Sequence, residues 1–140
     1  MDRVFELRVP LLLRTPNGGS GQRVAALAEH VDLLPTLLEQ AGLEPPAWAE
    51  GSSLAPLLHD PAAPGKQAVF AQAVGGALTA HSTRTPRYRH TRWLDRTGHP
   101  HAEELYDHRA DPAESTNLAA GAAPSLLTHL RSLSPSTARN

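Results

Sequence analysis

Apolar and polar positions along this chain change period partway through. In "EHVDLLPTLLEQAGLEPP", Leu34, Leu37, Leu38 and Ala41 recur at helical spacing, which predicts an amphipathic helix burying that face. Asp32 stands where an N-cap belongs, and Pro35 falls in the first turn, where a missing donor costs little. Gly42 and the Pro45-Pro46 pair supply the stop. Upstream, "VPLLLR" (9–14) holds three leucines in a row without alternation. That pattern suits a short strand buried on both faces of a sheet. A buried helix could show the same run, but Pro10 and the following "TPNGGSG" favour a strand ending in a loop. "GSSLAPLLHDPAAPG" reads as a loop with one apolar turn.

From residue 67 the period becomes two. "QAVFAQAV" (67–74), "LTAHSTRT" (78–85), "RYRHTRWL" (87–94) and "EELYDH" (103–108) are short runs separated by Gly75-Gly76, Pro86 and "DRTGHPH", which predicts a small antiparallel sheet of four strands. In the third run alternation places Arg87, Arg89, Thr91 and Trp93 on one face and Tyr88, His90, Arg92 and Leu94 on the other. Asp111-Pro112-Ala113-Glu114 has the form of a capping box, and "PSLLTHLRSL" (124–133) predicts a last amphipathic helix before a frayed tail.

The fold class is therefore an α+β or α/β fragment: one buried strand and helix, then a four-stranded antiparallel sheet packed on a C-terminal helix. A doubly buried strand needs neighbours on both edges, and no other segment reads as its parallel partner, so the first dozen residues look cut from something larger.

Composition narrows the function classes. The 140 residues suit one domain or part of one, and aromatics at 4% leave little reserve of core stability. A net charge of −1 argues against a nucleic-acid or anionic-membrane binder. With no cysteine there is no disulfide, thiolate metal site or cysteine nucleophile. No segment approaches the roughly 20 apolar residues that span a bilayer. "MDRVFELRVPLLLRTP" makes a poor signal peptide, which leaves the cytoplasm as the default location.

Five blocks in order, from about residue 5 to 119, resemble the C-terminal portion of the sulfatases, within the alkaline-phosphatase-like superfamily and its iduronate-2-sulfatase-like branch. They are "FELRVPLLLRTP", "HVDLLPTLLEQAGLEPP", "GSSLAPLL", "STRTPRYRHTRW" and "ELYDHRADPAESTNLA". The resemblance implies that residues 1–45 are the last strand and helix of a large catalytic domain. It makes 46–66 a connecting loop, 67–134 the small C-terminal sheet domain and 135–140 a tail. It also implies sulfate-ester hydrolysis by a formylglycine, made from Cys or Ser in C/S-x-P-x-R, with Ca²⁺ neutralising the sulfate.

This chain contains no such motif. Asp107-His108 lacks the glycine of the family's D-H-G metal pair, and the lysine that precedes the V-P-L strand has no counterpart here. Expected catalytic and metal residues are thus none, and no cofactor is expected in the chain itself. The expected partners are a missing sulfatase catalytic domain and a sulfated small molecule or saccharide. A stand-alone module binding an anionic saccharide or a partner protein is the alternative.

Smaller constellations remain. The small domain of the resembled family flanks the active-site mouth, which makes His81 and Arg84 candidates for substrate contact. Arg84, Arg87, Arg89 and Arg92 suit either an anion-binding rim or a solvated strand face paired to acids, the second being favoured. "HPHAEE" offers His99, His101, Glu103 and Glu104 as metal ligands, against a plainer reading as a loop histidine pair. Trp48, Trp93 and Tyr88 read as packing anchors rather than a sugar platform.

Overall fold

The computed structural model describes residues 9–16 and 21–134. The chain divides into two compact units, one of Arg8–Gln67 and one beginning at Ala68. No helix among the described residues is long and apolar enough to cross a membrane.

The first unit is built on α1, Leu33–Gln40, entered through a 3₁₀ turn at His30–Asp32. Its end follows the glycine stop expected from sequence: Gly42 takes φ +72, its N–H reaches Glu39 O, and Leu43 N–H reaches Leu38 O. The buried face is not the expected one. Asp32, Pro35 and Thr36 are buried, whereas Leu34 and Leu37 are exposed, Leu37 by 59%.

Asp32 does not cap α1 through its side chain, as the sequence suggested. Its fully buried carboxylate instead accepts hydrogen bonds from Glu29 N (2.9 Å), Ser52 N (2.8 Å) and Lys66 Nζ (2.6 Å). Thr36 Oγ1 donates to Asp32 O and accepts from Leu54 N at 2.8 Å. Gly51 makes this approach possible, because a Cβ there would lie 2.0 Å from Val31 O. The loop 51–54 is thereby laced onto the polar side of α1, and it leads into α2, Ala55–His59, which buries Ala55 and Leu57.

Residues 9–15 form no strand. A strand exists by pairing, and the sheet found among the described residues is made entirely of later segments, so Leu12 is left 87% exposed. Trp48 is likewise no packing anchor, being 73% exposed, while Trp93 is buried as expected.

The second unit holds β1 Val69–Gly75, β2 Leu78–Arg84, β3 Tyr88–Asp95 and β4 Pro100–Asp107, antiparallel in sequence order. This is the four-stranded sheet that the alternation predicted. The β1–β2 turn places Gly76 at φ +61, a conformation that suits a two-residue hairpin loop. By register, His81 and Thr83 share a face with His90, Arg92, Glu103 and Leu105. On that face Thr83, His90 and Leu105 are fully closed off, as is Leu130 of α3, Pro124–Leu133, and on the opposite face Ala80, Ser82, Thr91 and Trp93 are buried too. Thr83 Oγ1 and Ser134 Oγ, 2.7 Å apart, tie β2 to the end of α3.

Asn117-Leu118 close the free edge of β4. Asn117 Oδ1 accepts from Leu105 N at 3.0 Å, and Leu118 N donates to Leu105 O at 2.8 Å. The segment before it is not a helix start. Asp111 instead accepts from Ser115 Oγ and Thr116 N in a turn, and Glu114 takes φ 55. The capping-box pattern and an Asx turn use the same residue types, and tertiary contacts decide between them here.

Candidate functional site

Three of the four clustered arginines are bound to partners. Arg87 holds Asp107 Oδ2 through Nε (3.0 Å) and Nη2 (2.7 Å). This pairing, with burial opposing it, keeps the Asp107 carboxyl below the usual carboxylate range. Arg89 pairs with Glu114 and lies 5.5 Å from the Tyr106 ring centre. Glu114 also pairs with His108, so the left-handed backbone at Glu114 serves both contacts. Arg84 turns back onto its own loop, donating to Thr85 O and, at 3.3 Å, to Tyr88 O.

The two substrate-contact candidates are not brought together. His81 and Arg84 fall on opposite faces of β2, since they stand three positions apart, an odd step on a pleated strand. His81 stands in a cross-strand row that runs Gln72, His81, Arg92, Glu103. Burial, reinforced by the neighbouring Arg92 charge, pushes the His81 imidazole below its usual range.

The end of that row is a charged node. His90, 1% exposed, lies with Nε2 at 2.7 Å from Glu103 Oε1. Arg131 of α3 grips the same carboxylate, with Nη2 2.7 and 2.6 Å from its two oxygens and Nε at 3.0 Å. Burial alone would raise the Glu103 carboxyl, but the hydrogen bonds from Arg131 and His90 outweigh it and hold the group low. Sequence reading missed Arg131, because its partner lies 28 residues away and no local pattern joins them. The placement of His90 and Arg92 on one face was the available signal.

Beside the node is a half-open hollow of ≈ 340 Å³ lined by Arg92, Pro100, His101, Ala102, Glu103 and Arg131. A bulge shapes it. Trp93 opposes Ala102 and Leu94 opposes Pro100, so His101 is the extra residue of β4. His101 and Glu103 therefore meet at the hollow. His99 bonds Thr97 Oγ1 at 2.6 Å, and Glu104 accepts from Trp93 Nε1 at 3.1 Å. Among the described residues no three His, Asp or Glu side chains converge to hold a metal ion.

Comparison with known proteins places these features in context. Residues 4–132 match the family model described as N-sulphoglucosamine sulphohydrolase, C-terminal. A Delta 4,5-hexuronate-2-O-sulfatase of Bacteroides thetaiotaomicron is 37% identical over 64% of this chain and 19% of its own length. A sulfatase of Formosa agariphila is 31% identical over 79% of this chain and 20% of its own. An N-acetylglucosamine-6-O-sulfatase of Bacteroides thetaiotaomicron is 30% identical over 79% and 21%. This chain thus spans about a fifth of the length of these relatives. Among solved structures, one in complex with its substrate D-glucosamine-2-N,6-O-disulfate superposes with TM-score 0.62 at 24% identity, over 73% of this chain and 22% of that one. It shares the fold.

Proposed function

The chain belongs to the sulfatases, as a member of their N-sulphoglucosamine sulphohydrolase C-terminal family, and we propose that it works as the C-terminal part of a sulfatase whose reaction centre lies in residues outside it. The observation that carries this reading is an outward-facing α1. Leu34 and Leu37 face solvent while Asp32 and Thr36 are buried, and the triple leucine at 11–13 pairs with no strand among the described residues. Apolar surface so arranged is matched by a further layer of structure. The partner we assign is the sulfatase catalytic domain, which would bring the formylglycine, the calcium and the sulfate-binding lysine. The names of two sugar-sulfatase relatives support a sulfated saccharide as substrate.

On this reading the chain alone hydrolyses no sulfate ester. The test is release of sulfate from N-acetylglucosamine-6-sulfate by the full chain, with calcium added, together with a reading of all frames of the coding DNA upstream of Met1. No turnover, and an upstream C/S-x-P-x-R, is the expected pair of results. Turnover by the chain alone would sink the reading. A stand-alone binding module is the second reading, favoured by the cationic hollow at Arg92, and upstream DNA without that motif would select it.

A further inference from the structure

Arg92 differs from the other three arginines of its cluster. Among the described residues it makes no hydrogen bond and no ion pair, although its side chain is half-buried. Its cross-strand neighbours are His81 on one side and Glu103 on the other. Glu103 is already taken by Arg131 and His90. Arg131 reaches that carboxylate through Nε and Nη2, which leaves Nη1 without a hydrogen bond among the described residues. Two guanidinium groups therefore line the hollow against a single carboxylate, and the bulge brings the His101 imidazole to the same place.

Among the described residues the Arg92 guanidinium has no counter-charge of its own and keeps access to solvent, so a ligand that brings a negative charge can pair with it without displacing another bond. An oxyanion supplies what is missing, since the planar fork of arginine matches sulfate and carboxylate oxygens in pairs. We propose that this hollow binds one oxyanion group, a sulfate or carboxylate, gripped by Arg92 with Arg131 Nη1 and His101 beside it. The site needs neither nucleophile nor metal, so it goes beyond the sulfatase reading and stands or falls separately from it. Occupation has an electrostatic consequence. The bound charge offsets Arg92, which relieves one of the two influences that now disfavour protonation of His81.

The experiment is a titration of the full chain with sodium sulfate, against sodium chloride at matched ionic strength, followed by the ring resonances of His81 and His101. Saturable shifts with sulfate alone are expected, together with a rise in the His81 pKa at saturation. Arg92→Gln should weaken binding roughly tenfold or more, as expected for losing a charge-assisted pair of hydrogen bonds. Arg92→Lys, keeping the charge but not the fork, should fall between. Because Arg92 makes no hydrogen bond or ion pair among the described residues, the amide spectrum of Arg92→Gln should otherwise match the parent.

Glucosamine-6-sulfate and unsulfated glucosamine separate the sources of the oxyanion. Tighter binding of the sulfated sugar identifies a saccharide group, and equal binding of inorganic sulfate identifies the free ion. Either supports the site. Shifts shared with chloride, or unchanged binding by a folded Arg92→Gln, would overturn it.

Discussion

Lys66 Nζ lies 2.6 Å from Asp32 Oδ1 across 34 residues of chain, and the Asp32 carboxyl is wholly closed to solvent. Glu29 joins them, 2.6 Å from the same ammonium. A buried carboxylate with two backbone donors and one ammonium is stable only as a set, because losing any member leaves charge or dipole unmatched.

Removing the hub should therefore cost more than removing the lysine. Asp32→Ala leaves the partly buried ammonium with Glu29 alone and strands the amides of Glu29 and Ser52, and should destabilise the first unit by roughly 2–4 kcal/mol. Lys66→Met leaves the carboxylate its two amides and should cost less. Burial tends to lower the Lys66 pKa, but its bonds to Asp32 and Glu29 prevail and raise it above the ordinary 10.5. Its stabilising share is thus complete below 10.5 and lost as pH rises through the higher folded value. Hydrogen exchange at the Ser52 and Leu54 amides reads this directly. Equal protection in parent and Asp32→Ala would contradict it.

Gly51 should tolerate no side chain. The Cβ of an alanine would fall 2.0 Å from Val31 O, so Gly51→Ala must move the loop off α1, at a cost of roughly 1–3 kcal/mol. Gly121 has nothing within 4 Å of the same atom, and Gly121→Ala should change stability by less than about 0.5 kcal/mol. Paired urea melts of the two variants make the comparison.

These two cases show what a local pattern can and cannot carry. The strands of the second unit were legible, because alternation and turn residues act between near neighbours in sequence. The end of α1 was legible for the same reason, through Gly42. The direction in which α1 faces was not. Its leucine stripe is a correct helix signal, yet the side that packs within this chain is the polar one, fixed by Ser52, Leu54 and Lys66 from beyond the helix. The triple leucine at 11–13 has the pattern of a buried strand, bounded by Pro10 and a glycine-rich loop, and pairing decides what it becomes. In the candidate site, alternation put His90 and Arg92 on one face. Which arginine stays unpaired depended on Asp107, Glu114 and Arg131, each brought in by tertiary structure.

Acid should loosen α3 through Glu103. That carboxyl is held below the ordinary 4.5, so its contribution is complete above 4.5 and lost as pH falls through the lower folded value. His81 works in the same direction from a higher start. Its pKa is pushed below 6.5, so the neutral ring's share is complete above 6.5 and declines as pH drops through the folded value. With Arg131 about half exposed, Glu103→Gln should cost only about 1 kcal/mol at neutral pH. Its stability should fall less steeply than the parent's below pH 4.5. Thermal melts across acid pH check this, and parallel curves for the two proteins would refute it.

The outward leucines of α1 should make the chain self-associate. Val31, Leu34 and Leu37 are exposed on one side of the helix, and Leu11 and Leu12 add a further unpaired apolar run. Water is a poor neighbour for such a surface, so second copies should cover it as concentration rises. Leu34→Glu with Leu37→Glu should suppress association while leaving thermal stability almost unchanged, because neither side chain is buried within the chain. Sedimentation velocity over a range of concentrations gives the answer. A parent chain that stays monomeric throughout would show that the face needs no partner, and a melting temperature lowered by the double substitution would show that it already has one within the chain.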